Sequence, residues 1–408
     1  MRPPGLRFHP PERRLPAGVR WALARAFGPI EAATWVGAEE GVEAAGRLRL
    51  AARIASRVAS GSLIAELGAQ GAGALRRERM AAAARAAWLA EAATDAIAVL
   101  QRAGLAPVLL KFVALSARGC LAEGARAASD VDLLLDEHSG RVARGALLAE
   151  GFVELGGPGE QHHLPAVAHP RGAVVEIHTA TLGVRLGARS ASASELERAG
   201  LLEAAGGAWR GARLPTREVL VAHALAHGLA QHGLSPRAYP LLQPWADLAD
   251  LDWPADRADR AAEVEPIRAL LRGTLADDEV AAAAELALRL RVADSELLAG
   301  VAADGAAATL LHHLVWGLLD HRYGDALRVR AVTEPLSDDS SSRALLRAVR
   351  RALWPSQDEL AAIYGRPRER VGLWLRLYRP LDLVGRSVRS AWSATRLGGG
   401  DGGGGGGG

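Results

Sequence analysis

Residues 107–182 interrupt a hydrophobic rhythm that runs through the chain on both sides of them. Before them, apolar and alanine positions recur every three or four residues, as in EEGVEAAGRLRLAARIASRVAS and RERMAAAARAAWLAEAATDAIAVLQRAG. That is the period of a helix with one buried face. Gly104 stands where the second of these helices should end, as a C-cap glycine does. The helical period returns at Thr216 in TREVLVAHALAHGLAQHG, with Thr as N-cap and Gly233 as the stop. It continues in PLLQPWADLADL, DDEVAAAAELALRLRV, AATLLHHLVWGLLDH and SSSRALLRAVRRALWP. In between the signal is different. PVLLKF (107–112) is a short apolar run behind a proline and predicts a buried strand. ALSARGCLAEG (114–124) predicts a short helix, SDVDLLL (129–135) an alternating strand, and SGRVARGALLAEG (139–151) a helix closed by Gly151. FVEL (152–155), HHLPAVAH (162–169) and GAVVEIHTATL (172–182) predict three further strands, with GGPGE and PRG as turns between them. The order predicts an α+β fold in which a small mixed β-sheet core is flanked by N-terminal and C-terminal helical regions.

With 408 residues, 49% of them hydrophobic, the chain can bury cores in two or three domains. The boundaries expected are an N-terminal helical region at 1–105, the sheet core at 106–205, a C-terminal helical region at 206–396 and a disordered glycine-rich tail at 397–408. The single cysteine, Cys120, allows no intrachain disulfide. It reads as a small packed residue rather than a nucleophile. The start, MRPPGLRFHPPERRLP, has no apolar segment of the secretory kind, and no stretch reaches the ~18 uninterrupted apolar residues of a spanning helix. A cytoplasmic protein is expected. Net charge is +3, but eight arginines against Glu369 and Asp382 give residues 366–396 a charge of +6. That segment places Val371, Trp374, Leu375 and Tyr378 on one helical face and arginine on the other. It reads either as a terminal helix packed on the body or as an amphipathic contact with an anionic membrane.

The residues that carry chemistry lie in the strand region. Asp130 and Asp132 stand at i and i+2 of SDVDLLL, so they project from one face of a strand. Two carboxylates fixed side by side can chelate Mg²⁺. DLADLDW repeats the spacing with Asp250 and Asp252, but in an amphipathic helical setting that predicts a solvated edge. Around the first pair stand Arg126, four residues earlier, and Lys111, at or just after the end of the preceding strand. Lys111 is the only lysine among 49 basic residues. Glu176 and His178 share a strand face in VVEIH. If that strand lies beside SDVDLLL, Glu176 becomes a third carboxylate near the other two. Three acids with a lysine and an arginine are the inventory of a two-metal phosphoryl- or nucleotidyl-transfer site.

Residues 107–182 resemble the nucleotidyltransferase superfamily of the DNA polymerase β type, and within it a branch of bacterial uncharacterised nucleotidyltransferase family proteins. That branch carries a Leu-Lys-Gly stretch, then Arg-x-x-x-Asp-hydrophobic-Asp-Leu-Leu-Val, then Glu-hydrophobic-His. This chain has LLKF, RAASDVDLLL and VEIH. AHALAHGLAQH and WADLADL extend the likeness less specifically to about residue 251. The resemblance implies a transferase that moves an NMP from an NTP to a hydroxyl acceptor. It implies Asp130, Asp132 and Glu176 as catalytic metal ligands for Mg²⁺ (or Mn²⁺), and Lys111, Arg126 and His178 as nucleotide- or phosphate-binding residues. Phe112 departs from the pattern, standing where the branch has glycine and where a close backbone approach to triphosphate is expected.

That departure supports a second reading, a catalytically inactive nucleotide- or partner-binding module of the same fold. A membrane-associated accessory protein working through the basic segment is a third. The acceptor reads as a small molecule or a protein, because nothing in the core is basic and aromatic enough to favour nucleic acid. His223, His227 and His232 share one helix, but no acid or cysteine there completes a zinc set, so they read as a polar helix face near the cleft. The His pairs at 162–163 and 312–313 read as surface or packing, and Asp247 as an anchor for its helix or for the cleft. GGPGE opens no helix and is not a P-loop, and neither a Walker motif nor a G-x-G-x-x-G before a helix occurs.

Overall fold

The computed structural model describes residues 15–28, 37–155, 163–181, 183–231, 242–254, 259–292, 294, 296–297 and 305–319. GGPGE, His162, His232, the 366–396 segment and the glycine-rich tail lie outside them. The chain divides into two compact units. One holds Arg2–Gln231 with Leu241–Val315; the other holds Met1, His232–Pro240 and Trp316–Gly408 and falls almost wholly outside the described residues.

The first unit opens with helices α1 (Ala17–Phe27), α2 (Ala38–Arg47), α3 (Ala51–Arg57) and α4 (Ser60–Arg102). The stretch expected as one helix is two, α2 and α3, because Leu48 and Leu50 are both buried. Residues two apart cannot share a helix face. A turn through Arg49, at φ 58°, brings both into the core. Helix α4 bends at Gly68, then buries Leu89, Ala92, Ala93, Ala96 and Leu100 at spacings of three and four. It ends where the sequence predicts: Gly104 takes φ 74°, and the Leu105 amide donates to the Leu100 carbonyl in a Schellman-type close.

The sheet is mixed and seven-stranded, in the order β3-β4-β5-β2-β1-β9-β8. Its strands are β1 (Val108–Leu109), β2 (Asp130–Leu134), β3 (Val153–Glu154), β4 (Val167–Ala168), β5 (Val174–His178), β8 (Leu202–Ala204) and β9 (Arg213–Pro215). Strands β6 (Arg185–Leu186) and β7 (Arg189–Ser190) form a separate small hairpin. The five strand regions expected from sequence are present but shorter, and β6 to β9 were not expected. Helices α5 (Lys111–Ala117), α6 (Glu137–Ala149) and α7 (Ala193–Arg198) connect the strands. The run 107–112 is only partly strand, for α5 begins at Lys111 and buries Phe112, Val113, Ala114 and Leu115. A short apolar run satisfies a buried helix as well as a buried strand. The helix expected over 114–124 therefore lies earlier, at Lys111–Ala117.

Central strand β2 pairs antiparallel with β1 and parallel with β5. Val131, Leu133, Val175 and Ile177 are buried on the sheet face covered by α6. A Cβ at Gly140 of α6 would stand 3.3 Å from side-chain methyls of Ile177 and Leu164, a tight contact that shows how closely the helix packs on β5. The alternation places Asp130, Asp132, Glu176 and His178 on the other face. The loop before β2 is pinned to α4 at Gly124. Gly124 has φ 70°, and a Cβ there would stand 2.6 Å from the Arg79 carbonyl oxygen.

Beyond the sheet, α8 (Arg217–Leu225) runs into a π-helical turn at Ala226–Gln231. Helices Gln243–Asp250, Arg260–Leu271, Asp277–Arg291 and Ala306–Leu319 follow. Asp250 does not lie on a solvated edge as expected. It receives the Arg53 guanidinium at 2.8 and 2.7 Å, while Arg53 also donates to the Ala26 carbonyl at 2.8 Å. Asp252, the other half of that control pair, is 71% exposed and pairs with Arg291. His312 and His313 are buried packing residues, and burial pushes the His313 imidazole down to about 3. No helix among the described residues is long and apolar enough to cross a membrane.

Candidate active site

Asp132 stands at the centre of the polar face. Its position in a five-residue strand between two partners leaves it 1% exposed. A buried carboxylate needs compensation, and an ammonium and an imidazole supply it at one oxygen. Lys111 Nζ lies 2.7 Å from Asp132 Oδ1, and His178 Nε2 lies 2.8 Å from the same atom. Lys111 reaches it from β1's side, and His178 from β5's. Burial by itself would raise the Asp132 carboxyl, but the Lys111 ammonium and the His178 hydrogen bond outweigh it and hold the group well below the usual carboxylate range.

Glu176 arrives by register. In the parallel β2–β5 ladder Asp132 pairs with Glu176, so the condition set by the sequence is met and the third carboxylate is a direct neighbour of the second. His178 Nε2 stands 3.6 Å from Glu176 Oε2. That contact, ahead of an opposing effect of burial, lowers the Glu176 carboxyl. Burial would lower the His178 imidazole, but its hydrogen bond to Asp132 and its contact with Glu176 raise it. Asp130 lies on the same face with less cover and accepts from Ser129 Oγ at 3.0 Å. Burial, then the charge of Asp132, raises its carboxyl.

Lys111 is placed by an unusual backbone. It opens α5 at φ 45°, a left-handed conformation that costs a side-chain-bearing residue about 1 kcal/mol or more. The turn thus falls on the lysine itself, not on Phe112. Burial would lower the Lys111 ammonium, and Asp132, with smaller contributions from Asp130 and Glu176, raises it. The Phe112 ring is 4% exposed, and the Arg126 guanidinium lies 5.7 Å from its centroid.

Arg126 is held on a fork. Its Nε donates to Asp247 Oδ1 at 2.7 Å and its Nη2 to Oδ2 at 3.1 Å. Gln243 Nε2 donates to the same Oδ1 at 3.0 Å. Burial would lower the guanidinium, and the Asp247 carboxylate more than offsets this, with Asp132 and Asp130 adding to the effect. The helix Gln243–Asp250 therefore sets the position of a cation that electrostatically feels the β2 carboxylates. The sequence signal was an acid on the buried side of PWADLAD, and it did not name Arg126 as the partner. Asp247→Asn keeps the shape but loses one charge-assisted contact. We expect it to lower stability by about 2 kcal/mol in urea unfolding.

Among the described residues, Asp132, Glu176 and His178 form the group whose possible ligand atoms converge, all within 4.8 Å of one another. Two carboxylates and an imidazole fit a divalent cation chemically. Of the six residues expected from sequence, Lys111, Asp130, Asp132, Glu176 and His178 gather at this face, and Arg126 stands beside it on Asp247. His223 is buried, its ring 6.4 Å from that of His227, and neither belongs to a converging group of three among the described residues. Cys120 is half-buried, and burial pushes its thiol up, which disfavours the nucleophilic thiolate.

A family model described as "Uncharacterised nucleotidyltransferase" matches residues 36–293. No curated protein and no solved structure matches the chain.

Proposed function

The chain belongs to the uncharacterised nucleotidyltransferase family, and from that premise we propose that it moves a nucleoside monophosphate from an NTP to a hydroxyl acceptor, releasing pyrophosphate, with Mg²⁺ (or Mn²⁺) held by Asp130, Asp132 and Glu176. The observation that carries this reading is the in-register pairing of Asp132 with Glu176 beside Asp130, with Lys111 on the opposite flank. When bound, the divalent cation supplies Lewis-acid stabilisation of the triphosphate.

The chain's own residues do the rest. Lys111 and Arg126 offset negative charge as it shifts toward the leaving pyrophosphate. In the transfer the acceptor oxygen bonds to the α-phosphorus, and the bond from that phosphorus to the bridging oxygen breaks. The acceptor proton passes to the Glu176 carboxylate, which the ladder sets beside Asp132. The acceptor class we favour is a small molecule or a protein. Phe112 argues less for an inactive module than its sequence position implied. Its ring is packed in the core under Arg126, and the left-handed turn that a glycine would ease lies one residue earlier.

The test is transfer of label from α-phosphate-labelled NTPs, with extracts fractionated into small molecules and proteins as acceptors, alongside pyrophosphate release and calorimetry with MgATP and MgGTP. We expect label on one acceptor fraction, dependent on divalent cation. Nucleotide binding with neither label transfer nor pyrophosphate release would leave the binding-module reading in its place.

A further inference from the structure

We propose that His178 is itself a metal ligand, so that the cation position between β2 and β5 is a mixed nitrogen–oxygen site favouring Mn²⁺ and Co²⁺ over Mg²⁺. This rests on the metal-dependent reading above and assigns His178 a place other than the phosphate contact expected from the sequence. The first support is geometric. His178 Nε2 is 2.8 Å from Asp132 Oδ1 and 3.6 Å from Glu176 Oε2. Adjacent ligands of an octahedral cation with bonds near 2.1 Å stand roughly 3 Å apart. These donors are therefore already spaced close to the edge of a coordination shell.

The second support is rigidity. Glu176 and His178 are alternate residues of one strand, and Asp132 is fixed beside Glu176 by the ladder. His178 is 3% exposed, and the His163 ring packs edge-on against it at 5.7 Å between centroids. An imidazole so enclosed keeps Nε2 directed at the two carboxylates.

The third is the division of labour at Asp132. Lys111 and His178 both pair with Oδ1. An ammonium nitrogen has no lone pair to offer a metal, whereas an imidazole ring nitrogen is a common ligand of divalent transition metals. His178 is also the one of the two that faces Glu176. A purely oxygen-lined position suits Mg²⁺. A nitrogen in the set moves preference along the divalent series toward the later metals.

The experiment titrates the full-length protein with Mg²⁺, Mn²⁺ or Co²⁺ alone, by calorimetry and by the Co²⁺ visible spectrum, for wild type, His178→Gln and Asp132→Asn. We expect wild type to bind Mn²⁺ at least about tenfold more tightly than Mg²⁺. His178→Gln should lose about tenfold or more for Mn²⁺ and Co²⁺, alter the Co²⁺ spectrum, and change Mg²⁺ affinity far less. Pulsed EPR of Mn²⁺ on wild type should show coupling to a directly bound nitrogen, a readout that survives even if the variant does not fold. Equal Mn²⁺ affinity in wild type and His178→Gln, with binding lost in Asp132→Asn, overturns the His178 ligand alone. Absence of nitrogen coupling overturns it as well. Failure of wild type to bind any of the three cations overturns the metal-dependent reading with it.

Discussion

Asp130→Asn and Asp132→Asn are both expected to reduce nucleotidyl transfer by on the order of a thousandfold or more, about 4 kcal/mol of transition-state stabilisation, while moving stability in opposite directions. Asp132 is buried and satisfied by the Lys111 ammonium and the His178 imidazole, and its carboxyl is lowered in the fold. A carboxyl lowered on folding contributes stability above its unfolded value, and the contribution is lost as pH falls through the folded one. Asparagine removes that contribution at every pH and leaves Lys111 and His178 without their counter-charge. We expect a loss of about 3 kcal/mol. Asp130 has no cation paired to it at salt-bridge distance among the described residues, and burial and the Asp132 charge raise its carboxyl. Its ionised form is therefore disfavoured by the fold at neutral pH. Asparagine relieves that, for a gain of up to about 1 kcal/mol. Urea unfolding at pH 7 beside the transfer assay reads both. Stability shifts of the same sign, or transfer retained in Asp130→Asn, would sink this account of how the acids divide binding from folding.

That division was half legible in the sequence. Asp130 and Asp132 were recognisable because strand alternation is a local rule and SDVDLLL obeys it. Glu176 and His178 followed from the same rule, but their meeting with Asp132 depended on a strand pairing between residues 44 apart in the chain. Sequence supplied that pairing only as a condition. The Arg126–Asp247 fork joins positions 121 residues apart, and the Arg53–Asp250 pair 197. No periodicity encodes such contacts, which is why Asp250 read as solvated when it is half-buried against an arginine. Strands β6 to β9 are two or three residues long, too short for alternation to register. The break at Arg49 was visible in principle, since Leu48 and Leu50 cannot lie on one helix face.

The left-handed turn at Lys111 was not legible at all, and it sharpens the remaining prediction. Turn preferences assign positive φ to glycine, asparagine or aspartate, not to lysine. Here the fold accepts that strain at the one lysine among 49 basic residues. The turn aims a short-reach point charge at Asp132 Oδ1 from the end of β1, 2.7 Å away, with the side chain only 19% exposed. Arginine carries the same charge on a three-methylene stem that ends in a bulkier planar fork and reaches slightly further. At this enclosed position the fork either pushes past Asp132 toward Glu176 and Asp130, into the space of the proposed cation and triphosphate, or withdraws and takes its charge away from Asp132. Charge alone therefore should not rescue. We expect Lys111→Arg and Lys111→Ala each to lower kcat/KM for NTP by about a hundredfold to a thousandfold, within roughly threefold of each other. Thermal unfolding confirms that both variants are folded before rates are compared. An arginine variant near wild-type turnover would mean that the site needs only a positive charge there, and that the strained backbone at Lys111 serves packing instead of phosphate transfer.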